Sequence, residues 1–283
     1  MEKAGLILPP KRYANDITLF LNSVYKNAPE ERFPVDIKKL ALEYSSIKFP
    51  SEPIVRIQEE PFEDFDGALI HTANWNILIN KKISSGRKNF TLAHEFGHYL
   101  LHRHLLTDGI RCNYEAMRDW SVNSTTMEQE ANTFASYLLM PFDDFRKQVD
   151  NQAVDFNLFK KLTERYGTSL TAVILRWLEQ TSKRAVFIVS VDGFIDWAWS
   201  SEKALKTKKY FSSRNPACEP IEIPATSMAA RKIKDTHGEY INNGGWFTDV
   251  SYIEMNIPTR DPSINLTLLI LDDYDNVSKL YYN

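Results

Sequence analysis

The sequence places two histidines and a glutamate in a spacing typical of hydrolytic metal sites. Residues 90–102 read FTLAHEFGHYLLH, in which His94, Glu95 and His98 form an H-E-x-x-H motif. Side chains four residues apart on a helix point in similar directions, so His94 and His98 can offer two imidazole nitrogens to one ion. Glu95 is displaced around the helix, where it misses the ion but can reach a water beside it. Zinc lowers the pKa of such a water to about 7, so Glu95 can accept its proton as the water attacks a carbonyl.

A second helix offers the further ligand that a catalytic zinc site needs, since such a site usually has three protein ligands and one open position. The stretch TMEQEANTFASYLLMP predicts a helix over residues 127–139 that ends before Pro141 and carries Glu128 and Glu130. Asn132 lies four residues after Glu128, on the same face, where it can accept a hydrogen bond from a ligand histidine and fix its tautomer. We therefore prefer Glu128 as the third ligand, with Glu130 as the alternative.

Hydrophobic spacing predicts the elements that must hold these residues. The motif falls on a helix from about residue 86 to 105. Two helices are indicated before it, one over residues 15–26 with Asn15 or Asp16 as N-cap, and one over VDIKKLALEY with Asp36 as N-cap. Between the second of these and the motif, the segments IVRIQ, GALIHT and NILIN are short, β-branched and divided by turn residues, so we expect a small sheet.

The chain after the motif changes character twice. FNLFKKLTERYGTSLTAVILRWLEQ predicts two helices broken at Gly167, an arrangement similar to a helix-turn-helix. From Ala185 the segments AVFIVSV, FIDWAWS and LTLLILD predict strands, the first two joined by a turn at Asp192 and Gly193. We expect an α+β protein with three parts. These are a metal-binding domain at 1–145, a helix-turn-helix-like segment at 146–184, and a mostly β C-terminal subdomain at 185–283 that serves regulation or substrate choice.

Composition argues against several classes of protein. The 283 residues carry 34 basic and 37 acidic side chains, so the overall charge of -3 gives no general attraction to nucleic acid or membranes. The apolar run before Pro9 is too short for a signal peptide, and no segment is apolar enough to span a bilayer. The two cysteines, Cys112 and Cys218, form neither a C-x-x-C motif nor a disulfide framework. We therefore expect a protein of the cytoplasm.

Other residues have simpler interpretations. His102 continues the four-residue spacing but is turned about 80° from His94, so a surface position or a supporting role behind the ligands is favoured over a ligand. His71 and His104 are interpreted as ordinary polar positions. Trp197 and Trp199 lie at strand spacing, which favours packing over base stacking.

The helical stretch at 156–184 has an excess of basic side chains over Glu164 and Glu179. Its basic residues are Lys160, Lys161, Arg165, Arg176, Lys183 and Arg184. Such charge can contact phosphates, but it more often forms a solvated face, so direct DNA binding is the less favoured interpretation.

Three ordered motifs, FPVDIKKLA, RKNFTLAHEFGHYLLH and EQEANTFASYLLMP, together resemble the ImmA/IrrE family of zinc metallopeptidases. The resemblance implies a gluzincin-like, and therefore zincin-like, domain in which His94, His98 and Glu128 bind zinc and Glu95 is the general base. It also implies a cytoplasmic endopeptidase that cleaves a helix-turn-helix transcriptional repressor, relieving repression in DNA-damage stress or mobile-element induction. The alternative is a non-catalytic, zinc-containing regulator that binds DNA or a partner. A structural zinc needs no Glu95 and usually has a fourth protein ligand, which favours the peptidase.

Overall fold

The computed structural model describes residues 8–112, 126–212, 219–259, 261 and 263–273. Within these residues the chain forms eight α-helices and two β-sheets, the α+β class that the sequence predicts. The chain divides into two compact units, the first made of residues 1–148 and 161–172 and the second of residues 149–160 and 173–283. The three-part division drawn from the sequence stays a prediction. Cys218 and the N-terminal residues 1–7 lie outside the described residues.

The helices up to residue 180 are α1 (Pro10–Val24), α2 (Ile37–Lys48), α3 (Ser85–His102), α4 (Thr126–Leu139), α5 (Phe142–Val149), α6 (Phe156–Tyr166) and α7 (Leu170–Gln180). Short 3-10 turns occupy Pro29–Arg32 and Arg103–Leu105. The predicted cap of α2 is confirmed, since the Asp36 carboxylate accepts the Lys39 backbone N–H at 2.9 Å. The predicted cap of α1 is wrong. That helix begins at Pro10, whose fixed φ suits the first helical position, and Asn15 and Asp16 lie inside the helix.

The first unit contains a four-stranded sheet in the order β1-β3-β2-β4. Its strands are β1 (Ile54–Glu60), β2 (Gly67–His71), β3 (Trp75–Asn80) and β4 (Gly109–Cys112). β1 runs parallel to β3, whereas β2 is antiparallel to both β3 and β4. α3 packs across β2 and β3 on one side and against α4 on the other. The motif helix is therefore the centre of this unit, and its residues from Thr91 to His102 are buried.

The second unit is built on a five-stranded antiparallel sheet in the order β6-β5-β9-β8-β7. Its strands are β5 (Arg184–Val191), β6 (Phe194–Ser200), β7 (Asp235–Ile241), β8 (Tyr252–Ile257) and β9 (Ile264–Leu271), with a short helix α8 (Glu202–Lys206) after β6. The predicted turn between β5 and β6 is confirmed, because Asp192 and Gly193 both have positive φ, 49° and 88°. Val186, Ile188 and Leu269 belong to the apolar core on one face of this sheet.

No helix among the residues that the structure describes is both long enough and apolar enough to cross a membrane.

Candidate metal centre

Three side chains from two helices converge in the first unit. His94 and His98 on α3 are fully buried, and Glu128 in the first turn of α4 is 7% exposed. The Nε2 atoms of the two histidines are 3.0 Å apart. The Glu128 carboxylate reaches both, with Oε2 at 3.2 Å from His94 Nε2 and Oε1 at 3.4 Å from His98 Nε2. Within the described chain, this is the cluster of His, Cys, Asp and Glu side chains compact enough to hold a metal ion.

The geometry and chemistry of these donors fit a divalent ion. With metal–ligand bonds of about 2.0–2.1 Å, two ligand atoms of a tetrahedral site are separated by about 3.3 Å. The three separations in the cluster, from 3.0 to 3.4 Å, are close to that value. Two imidazoles and one carboxylate form the ligand set of many catalytic zinc sites, in which the fourth position stays open.

The protonation of the cluster also suits metal binding. Burial lowers the pKa of His98 to about 4, so its imidazole is neutral near pH 7, which is the form that binds metals. Burial by itself would raise the pKa of Glu128, but its contacts with the His94 and His98 imidazoles outweigh this effect and hold that pKa well below its usual range. Glu128 is therefore a carboxylate. A neutral His98 imidazole and an ionised Glu128 carboxylate are thus present together.

A glycine on α3 lets the two ligand-bearing helices meet. A Cβ atom added to Gly97 would lie 3.0 Å from Phe134 Cδ1 and 3.3 Å from the Ala131 Cα, both on α4. These distances are shorter than most carbon contacts, so a larger residue at this position would push the helices apart. Gly97 thus allows α4 to lie close enough to α3 for Glu128 to reach both histidines.

The outer nitrogens of both histidines are also held. His94 Nδ1 is 2.9 Å from Asn132 Oδ1, which is the contact that the spacing of Glu128 and Asn132 predicts. His98 Nδ1 is 3.0 Å from His102 Nδ1. His102 is only 3% exposed, so the alternative of a surface position is wrong and the supporting position is confirmed. Glu130 lies outside the cluster, with its Oε2 2.8 Å from His102 Nε2.

Glu95 is fully buried on α3, next to His94 in the chain. Its carboxylate lies against the first residue of β2, because a Cβ atom added to Gly67 would be 2.7 Å from Glu95 Oε1. The sequence alone assigns Gly67 no role beyond the start of the segment GALIHT. The signal that could have identified its role is a glycine at the start of a strand that must run beneath the motif helix.

The remaining candidate residues lie in packing contacts or at the surface. His71 stacks against Trp75 with ring centroids 4.5 Å apart, and His104 is exposed. Trp197 is 5% exposed and packs edge to face on Phe187, in agreement with the packing interpretation.

Three of the six basic side chains in the 156–184 stretch are engaged within the fold. Arg165 binds Asp144, Arg176 binds Glu179, and Arg184 donates to Thr207. Arg176 and Arg184 are each only 1% exposed. Lys160, Lys161 and Lys183 remain exposed, so the charge available for contact with phosphates is about half of what the sequence suggested.

A cleft of about 700 Å³ opens elsewhere in the first unit, at the N-terminal end of α3. Its lining includes Ser85 and Gly86 of α3, Gln58 of β1 and Thr168, but none of the residues in the His-His-Glu cluster. The donor chemistry of the His-His-Glu cluster, rather than the size of this cavity, makes the cluster the candidate functional site.

A buried His-His-Glu cluster, carried by two packed helices beside a small sheet, is consistent with a zincin-like fold. Residues 51–178 match the sequence model of a peptidase family described as the IrrE N-terminal-like domain. The resemblance to ImmA/IrrE proteins is thereby confirmed.

A comparison with curated proteins finds no match to the chain. Among solved structures, a Mycobacterium tuberculosis transcriptional regulator is similar, with a TM-score of 0.50 and 13% sequence identity. The alignment covers 97% of this chain and 84% of that chain. At this level of identity the likeness is one of fold.

Proposed function

We propose that the chain is a zinc-dependent endopeptidase in which His94, His98 and Glu128 hold the ion and Glu95 is the general base. The observation that carries the proposal is the convergence of two imidazoles and a carboxylate within 3.4 Å of one another, on α3 and α4. The match of residues 51–178 to the model of a peptidase family supports the same chemistry. Zinc is the preferred ion because the donor set is two nitrogens and one carboxylate.

The roles of the residues follow from their positions. Zinc bound by the three ligands would polarise a peptide carbonyl and activate a water at neutral pH. Glu95 follows His94 in the chain and is displaced around α3 from it, so its proposed role is to accept a proton from the attacking water rather than to bind the ion. A structural zinc site would need no such carboxylate and would usually have a fourth protein ligand.

The substrate that we propose is a helix-turn-helix transcriptional repressor, whose cleavage would relieve repression in stress or during mobile-element induction. The support is the match of residues 51–178 to the family model, together with the fold likeness to a protein described as a transcriptional regulator. Such a substrate places the enzyme in the cytoplasm. The second unit would then serve regulation or the choice of substrate.

The decisive test is Glu95→Gln. The amide is nearly isosteric with the carboxylate, so the fold and the zinc content should be unchanged, but it cannot accept the proton. General-base catalysis contributes about 10²–10⁴-fold, so cleavage should be lost on a gel assay. The substrates would be purified helix-turn-helix repressors encoded beside the gene, and metal content would be measured by elemental analysis.

The matched control is Glu43→Gln, which changes an exposed carboxylate on α2 and should leave cleavage intact. Wild-type protein prepared without chelator should contain about one zinc per chain. If Glu95→Gln releases repressors from DNA as well as the wild type does, the peptidase proposal fails and a non-catalytic regulator that binds DNA or a partner replaces it.

A further inference from the structure

A continuous chain of side-chain contacts leads from the cluster to the surface of the first unit. His98 Nδ1 is 3.0 Å from His102 Nδ1, and His102 Nε2 is 2.8 Å from Glu130 Oε2. His98 is fully buried and His102 is 3% exposed, whereas the Glu130 side chain is 40% exposed. The carboxylate at the outer end therefore lies at the boundary between the interior and the solvent.

Hydrogen-bond chemistry fixes the direction of every bond in this chain. If His98 binds zinc through Nε2, its neutral imidazole must carry its proton on Nδ1, and that N–H donates to His102. His102 Nδ1 must then be the acceptor. A neutral imidazole with an unprotonated Nδ1 carries its proton on Nε2, which is the atom that faces the Glu130 carboxylate. The carboxylate can only accept, so it selects the one tautomer of His102 that can receive the proton of His98.

We propose that His102 and Glu130 are a pair of positioning residues that orient the second zinc-ligating histidine, His98. This inference rests on the proposed zinc site and extends it. Neither residue is a ligand, since His102 offers its Nδ1 to His98 and its Nε2 to Glu130. Their contribution is to hold the ring of His98 and its tautomer so that Nε2 points into the cluster.

The two ligand histidines are supported in different ways. His94 donates to the side-chain oxygen of Asn132, which is fully buried and lies on the same helix as Glu128. His98 donates to the imidazole of His102, whose tautomer is selected by the partly exposed carboxylate of Glu130. Loss of an outer-shell partner typically lowers metal affinity by about 10–100-fold. We expect that range for the loss of His102, and a smaller effect for the loss of Glu130, which acts one bond further away.

The test measures zinc affinity of the full-length chain by competition with a chromophoric chelator, so it does not depend on a protein substrate. His102→Phe keeps a ring of similar size but removes the acceptor, and its affinity should fall by about 10–100-fold. His102→Gln retains an oxygen acceptor and should recover part of the loss. Glu130→Ala should bind more weakly than Glu130→Gln, because the glutamine oxygen can still accept the His102 N–H. His104→Ala, a change at an exposed histidine, is the control.

The outcomes separate this inference from the proposed function. A folded His102→Phe variant that binds zinc within about twofold of the wild type would overturn the positioning role, since the expected range begins near tenfold. Circular dichroism and thermal unfolding establish whether the variant is folded. If His102→Phe does not fold, Glu130→Ala decides the matter, and equal affinity of the alanine and glutamine variants overturns the role of the pair. Failure of the wild type to bind zinc would overturn the zinc site itself.

Discussion

Gly67 on β2 and Glu95 on α3 are in such close contact that no other amino acid fits at position 67 without displacing the carboxylate. A Cβ atom at Gly67 would lie 2.7 Å from Glu95 Oε1 and 2.5 Å from the Thr91 methyl carbon. The strand is fixed there from both sides, because Gly67 pairs with Ile79 on β3 and with Cys112 on β4. These two strand pairings therefore fix the position of β2, and with it the position of the Glu95 carboxylate, the proposed general base.

The first prediction follows from that contact. Gly67→Ala should lower the rate of peptide cleavage by at least about tenfold, as part of the 10²–10⁴-fold that a general base contributes, because Glu95 must move. Zinc content should not change, since Glu95 is not a ligand in the proposed site. Adding Thr91→Ser to this variant removes the methyl group that the new Cβ meets, so it should restore part of the activity. Thr91→Ser alone is the control. A Gly67→Ala variant that cleaves as fast as the wild type would contradict the prediction, because it would show that the contact between position 67 and Glu95 does not limit catalysis.

A second prediction concerns the close approach of α3 and α4. Gly97→Val should destabilise the first unit by about 1–3 kcal/mol, the usual cost of overpacking, and should weaken zinc binding because α4 carries Glu128. Gly97→Ala is the graded control. Its gain of about 1 kcal/mol in helix propensity opposes a Cβ contact of 3.0 Å with Phe134, so its net effect should be small. Calorimetry and chelator competition measure the two effects, and wild-type values for Gly97→Val would contradict the prediction.

The third prediction separates the two glutamates of α4. Glu128→Ala should reduce zinc affinity by more than the 10–100-fold typical of an outer-shell change, because it removes a proposed ligand. Glu130→Ala should have the smaller effect, since its carboxylate contacts only the outer nitrogen of His102. Both affinities come from the same competition assay. The reverse order would move the ligand assignment to Glu130.

Much of the candidate metal centre could be predicted because helical periodicity determines the direction in which each side chain leaves the helix. The four-residue spacing places His94 and His98 on one face, and the same spacing places Asn132 beside Glu128. Periodicity gives the azimuth of a residue, but it does not say which ring nitrogen meets which neighbour. For that reason the sequence left His102 as either a surface or a supporting residue and did not specify its Nδ1 contact with His98, although those residues have the same spacing as His94 and His98.

The elements that the sequence did not predict, or placed wrongly, are those that lack a regular pattern of apolar and polar residues. β8 contains Glu254 and Asn256, which are both buried, so the strand lacks the alternation of apolar and polar residues. β4 has only four residues. It pairs with β2, a strand distant in the sequence whose Leu69 is fully buried. The predicted start of α1 is too late because the cap was placed at Asn15 or Asp16, whereas Pro10 occupies the first helical position.

The fourth prediction concerns the pH dependence of stability in the second unit, and it rests on Glu254. This side chain is 1% exposed, and its Oε1 accepts the Met228 backbone N–H at 2.9 Å. Burial raises its pKa above the ordinary value of 4.5. The native state therefore binds the proton more tightly than the unfolded state does. The stability that comes from this proton is fully present below pH 4.5 and is lost as the pH rises through the native pKa.

Glu254→Gln should consequently raise the unfolding temperature near neutral pH, because the amide keeps an oxygen to accept the Met228 N–H but carries no charge to bury. The advantage should shrink as the pH falls toward about 4, where Glu254 is protonated in both states. Glu239→Gln is the matched control. It lies directly across from Glu254 in the sheet but is 45% exposed and paired with Arg231, so its loss should cost no more than about 1 kcal/mol. Calorimetry of both variants across this pH range provides the measurement. A Glu254→Gln variant that is less stable than the wild type near pH 7 would mean that the ionised carboxylate stabilises the fold, contrary to the direction argued from burial.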